Sequence, residues 1–97
     1  MGMRRKELQA SWARTRTYLE SAFAQLPASP VEGEEGGSAQ AYRGWVDHNE
    51  LELALDELEM LGEANPVDPG FWQLLLQAAT EMKLDDRAAR YQEKLAG

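Results

Sequence analysis

The run Leu51-Glu52-Leu53-Ala54-Leu55-Asp56-Glu57-Leu58-Glu59-Met60-Leu61-Gly62-Glu63-Ala64 decides the fold. Leu51, Ala54, Leu55, Leu58 and Leu61 recur at steps of three and four, the period of an α-helix with one apolar face. Leu53 and Met60 flank that face. Asn49 is the expected cap of a helix over about 50–64, and acids occupy its first turn, where the helix dipole favours them. No stretch of the chain shows the strand-like alternation bounded by turns that a sheet would need. The expected class is all-α, a single small helical domain.

The other face of the same run is acidic. Glu52, Asp56, Glu59 and Glu63 stand four, three and four residues apart, on one helical face with nothing basic among them. Like charges at this spacing cost a few tenths of a kcal/mol per pair. A basic partner would turn that cost into attraction, and a plain solvated face would leave it in place. The stripe, extended by Glu50 and Glu57, is the expected partner-binding surface.

Outward from this helix, four more helical segments are expected. Residues 3–26 form a long basic amphipathic helix, with Leu8, Trp12, Thr15, Leu19, Ala22, Phe23 and Leu26 on its apolar stripe. Pro27 ends it. Residues 27–37 hold two prolines, three glycines and three acids and read as a flexible loop with nothing to pack. Ser38 caps a short helix to about His48, with Tyr42, Trp45 and Val46 on its apolar face. Asp68-Pro69 starts a helix to about 83, because Asp can cap and Pro suits the first turn. Asp85 caps a last helix over about 86–96. The domain thus spans 1–97 as a long N-terminal helix, the loop and two helix-turn-helix hairpins over 38–97. Ala54 and Leu61 answer Ala88 and Leu95 at an offset of 34, the period of the tetratricopeptide repeat, so the hairpins are expected to be tetratricopeptide-like.

Composition narrows the function. The 97 residues carry a net charge of −7 and no cysteine. Residues 1–31 set five basic side chains against Glu7 and Glu20, residues 32–68 set eleven acids against Arg43 alone, and residues 69–97 are balanced. An acidic centre lacks the basic footprint that nucleic acid or an anionic membrane requires, and favours a basic protein partner. The absence of cysteine removes disulfides, thiol catalysis and zinc–thiolate sites and suits a reducing cytoplasm. No apolar run is long enough to span a bilayer. His48, the sole histidine, has no nucleophile at hand for a triad and is expected to make turn hydrogen bonds. Trp45 and Trp72 are expected in the core. Gly33, Gly36 and Gly37 follow no strand and sit among acids that would repel phosphate. Neither enzyme activity nor a cofactor is expected.

The stretch from Tyr42 to Leu58, with His48, Glu50, Ala54 and Leu58 at their places, and the stretch from Phe71-Trp72 to Met82-Lys83-Leu84-Asp85 together resemble small bacterial immunity proteins of the MafI type. The resemblance covers roughly residues 42–95. It implies a helical antitoxin that binds and blocks a toxin, in many cases a nuclease. Two other functions suit the residues: a tetratricopeptide-like adaptor, and a homodimer in which the basic first helix of one chain meets the acidic centre of another.

Overall fold

The computed structural model describes residues 4–33 and 36–97. It holds five α-helices: α1 (Arg5–Phe23), α2 (Ala39–Asp47), α3 (Leu51–Ala64), α4 (Pro69–Glu81) and α5 (Asp85–Ala96). There is no strand among the described residues, only an isolated bridge between Gly33 and Gly36. The first residue expected in the first helix, Met3, lies outside the described residues, as do Glu34 and Glu35 of the loop.

The core takes in all five apolar positions read on the third helix. Leu51, Ala54, Leu55, Leu58 and Leu61 of α3 are buried with Leu19 and Ala22 of α1, Tyr42 of α2, Phe71, Leu75, Ala78 and Ala79 of α4, and Tyr91 of α5. α4 sits between α1 and α5, and α3 between α2 and α4, with α1 closing against α3. Gln25, just past α1, lies beside Gly70 near the start of α4, while Ser11 and Arg14 meet Glu81 at its end. α1 and α4 are therefore antiparallel. Together with the hairpins, this places the start of α1, both hairpin turns and the starts of α3 and α5 at one end of the bundle, the turn end.

The two turns share one geometry. His48 and Met82 end their helices near φ −96° and −86°, Asn49 and Lys83 are left-handed at φ +56° and +60°, and Glu50 and Leu84 follow at ψ 72° and 78°. In each, the third of these residues donates its N–H to a carbonyl five positions back, Glu50 to Trp45 and Leu84 to Ala79, both at 2.8 Å. This is the Schellman closure, which satisfies carbonyls that a helix end would otherwise leave bare. The recurrence falls at 34 residues. It also corrects two expected caps: Asn49 is a left-handed turn residue with Glu50 in the cap position, and Leu84 holds that position ahead of Asp85. Asn tolerates this conformation better than most non-glycine residues, so the local turn outweighs its capping preference. Ser38 does cap α2, accepting from Ala41 N–H at 2.9 Å.

Part of the loop after α1 is packed, against expectation. Asn65 is buried at the end of α3, and its side chain accepts from Val31 N–H at 2.8 Å and donates to the carbonyls of Val31 (2.8 Å) and Leu61 (2.9 Å). Gly37 is buried at φ +92°, where a Cβ would lie 2.7 Å from Met60 Cβ, so only glycine closes there without strain. One amide side chain thus does for the loop what apolar residues could not. Replacing Asn65 with alanine strips three hydrogen bonds from a buried site. It should cost about 1–3 kcal/mol in urea unfolding and raise amide exchange at Val31.

Candidate functional site

The acidic stripe does not stand open. Asp56 pairs with Arg87 at 2.6 Å, Glu59 with Arg90, and Glu63 with Lys94 at 3.4 Å. Tyr91 donates its hydroxyl to Glu59 at 2.7 Å, and Arg87 reaches the carbonyl of Glu52 at 3.4 Å. Each cation lies 31 positions after its acid, so the three pairs form a ladder between α3 and the parallel α5. Nothing basic lies among these acids on α3, as read from the sequence; the cations that pair with them come from α5. Arg87, Arg90 and Lys94 repeat the acids' own spacing of three and four, and that matched spacing was the signal available in the sequence.

The ladder's rungs differ in physical character. Glu59 is the most enclosed, with its side chain 13% exposed, and holds both Arg90 and Tyr91. Burial, with Glu59 beside it, pushes the Tyr91 phenol well above its ordinary range. Partial burial pushes the Asp56 carboxyl up; Arg87 opposes this, while Glu59, Glu52 and Glu57 add to it. The 2.6 Å pair therefore does not fully offset the acid's surroundings. Lys94 also lies 4.5 Å from the centre of the Trp72 ring. Trp72 in turn packs beside Tyr91, with ring centres 6.0 Å apart.

The other expected binding residues divide. Glu57 accepts from Ser38 N–H at 3.0 Å and so secures the start of α2. Glu50 and Glu52 have exposed side chains with no ion pair among the described residues. His48 places Nδ1 2.8 Å from Gly44 O, a bond that requires the proton on that nitrogen. Trp72 packs against the core, but Trp45 is 36% exposed, a correction to its expected place. Tyr42 and Val46 already fill the inward positions of the nine-residue α2 and leave Trp45 at its edge.

What remains uncommitted gathers at the turn end. Trp45 and Leu53 are exposed there. Asp47 ends α2, and Glu50, Glu52, Asp85 and Asp86 occupy the first of the two turns and the first turns of α3 and α5, all without ion pairs among the described residues. A shallow cleft at this end is lined by Glu52, Lys83, Leu84, Asp85, Asp86 and Arg87.

No protein-family model, curated protein or solved structure matches the chain. No helix among the described residues is long and apolar enough to cross a membrane. No group of three or more His, Asp or Glu among them is placed to hold a metal.

A separate ion pair ties α1 to α4. Arg14 forks onto Glu81 at 2.9 and 3.0 Å, and Ser11 donates to the same carboxylate at 2.7 Å. Arg14 and Ser11 hold the Glu81 carboxyl down to about 2 from its ordinary 4.5. A lowered folded-state pKa adds stability that is fully present above the unfolded value and is lost as pH falls towards 2. Wild-type protein should therefore lose stability relative to Glu81→Gln between about pH 5 and pH 2. Thermal melts of both across that range check it, and a constant difference would show that the tie contributes nothing.

Proposed function

We propose that this chain is a non-catalytic binding protein, of the immunity kind that the resemblance over residues 42–95 implies. It docks a basic protein, a toxin, through the turn end and thereby covers the toxin's active or substrate-binding surface. One observation carries the choice of surface: exposed Trp45 and Leu53 lie at the same end as five carboxylates that make no ion pair among the described residues. Tryptophan enclosed by a partner is the side chain that most often dominates binding energy, and free charge around it steers and orients the encounter. The ladder acids are poorer contacts, because Asp56, Glu59 and Glu63 would have to leave Arg87, Arg90 and Lys94. A nuclease toxin suits the site, because the surface that holds a phosphate backbone is itself basic.

The test is co-purification with a toxin, should one be encoded beside this gene. Trp45→Ala and the double reversal Asp85→Lys, Asp86→Lys should each weaken binding about tenfold or more. Glu63→Lys, at the exposed end of the ladder, should leave it nearly unchanged. Equal affinity for all variants would remove the turn end from the mechanism.

The 34-residue recurrence of one turn geometry favours a second reading, a tetratricopeptide-like adaptor. In that reading a peptide would lie along the bundle's flank, and the turn-end variants would keep their partner.

A further inference from the structure

We infer that the start of α1 docks on the turn end of a second copy of this chain, and that two copies exchange this contact in a salt-sensitive, two-fold dimer. The inference rests on the reading of the turn end as a docking surface and names a second occupant for it, one that a bound toxin would displace.

The first observation is an overhang. Residues 5–10 of α1 are all exposed, and the first buried residue is Ser11, which bonds to Glu81 at the very end of α4. Six residues run on past α4, about 9 Å of helix. Leu8 and Trp12 continue the stripe that Thr15, Leu19 and Ala22 bury lower down, yet remain 37% and 39% exposed. The apolar face of α1 is longer than the body it packs on.

The second observation is charge. Arg4, Arg5 and Lys6 stand on this overhang and make no ion pair among the described residues. Asp47, Glu50, Glu52, Asp85 and Asp86, equally unpaired, lie at the same end of the same chain. The overhang carries a charge opposite to that of its own end but does not fold back onto it. A two-fold axis across that end lays each overhang along the other copy's acids. Both contacts form together and the assembly closes at two, as an isologous interface does. The apolar pair Leu8 and Trp12 is enclosed in the same step. An anionic membrane is the poorer occupant, because the five acids beside the overhang would be driven onto a surface of their own sign.

The test uses the full chain in sedimentation equilibrium. Wild type should be dimeric at about 0.05 M salt and at least tenfold weaker in association at about 0.5 M, where screening shortens to a few ångströms. Arg4→Glu, Arg5→Glu, Lys6→Glu in one variant and Asp85→Lys, Asp86→Lys in another should each be monomeric, with circular dichroism confirming intact helices. Mixed one to one, the two variants should recover part of the association as a heterodimer, because the basic overhang of one then meets the five acids of the other, as in wild type. A wild type that is monomeric at every salt, a mixture that stays monomeric, or binding to phosphatidylglycerol vesicles without dimerisation would overturn the inference. If the dimer fails while Asp85→Lys, Asp86→Lys still abolishes toxin binding, the proposed function stands without it. If the dimer forms while toxin binding ignores those substitutions, the dimer stands without that function.

Discussion

Replacing Tyr91 with alanine is expected to lower the free energy of unfolding by about 3–5 kcal/mol, the range for truncating a buried aromatic. Tyr91 is fully buried, and it is the residue through which α5 meets both the core and the ladder. Its ring packs beside Trp72, and its hydroxyl gives Glu59 the second of its two partners. Truncation therefore leaves a cavity and also weakens the most enclosed acid of the stripe. Tyr91→Phe separates the two effects. It keeps the ring and removes a hydrogen bond to a charged acceptor, worth about 1.5–3 kcal/mol. Urea unfolding of both variants checks the order, and a Tyr91→Ala loss below 1 kcal/mol would mean that α5 is not docked through this residue.

Gly62→Ala is the second large effect, and its sign runs against helix propensity. Within an exposed helix this change would gain about 1 kcal/mol. Gly62 is buried near the end of α3, and a Cβ there would fall onto the edge of the Phe71 ring, 2.9 Å from Cζ and 3.1 Å from Trp72 Cη2. Phe71 is fully buried and cannot swing aside, so the added methyl overpacks the α3–α4 contact at a cost of about 1–3 kcal/mol. The clash should outweigh the propensity, and the variant should melt lower than wild type. A higher melting temperature would show that α3 and α4 can part at no cost.

Much of this fold was legible from local chemistry. Ser38 marks the start of α2 by its capping bond and Pro69 that of α4 by its fixed backbone, while Asp68 holds the cap position without a side-chain bond. Leu51, Ala54, Leu55, Leu58 and Leu61 select a buried face that any packing would use. The Asn49 and Asp85 caps fail locally, at the two left-handed turn closures; the other departures are tertiary. The stripe has no cation on its own helix; its cations come from α5, three turns of a different element at a fixed register. Trp45 was assigned inward by its chemistry, but Tyr42 and Val46 are better placed on so short a helix. The prolines, glycines and acids of 27–37 give no sign of packing in the sequence, and the buried amide of Asn65 holds the loop at Val31. The candidate site followed the same pattern. Glu50 and Glu52 are exposed without an ion pair among the described residues, and Asp85, Asp86 and Trp45 join them only because the hairpins bring both turns to one end.

The claim on which the rest depends is that the acids of α3 serve the fold through α5. The coupling energy between Glu59 and Tyr91 tests it most directly, from urea unfolding of Glu59→Ala, Tyr91→Phe, the double variant and wild type. A coupling of about 1–2 kcal/mol is expected for a half-buried hydrogen bond to a carboxylate. Additivity within about 0.3 kcal/mol would contradict it and leave the stripe free for a partner.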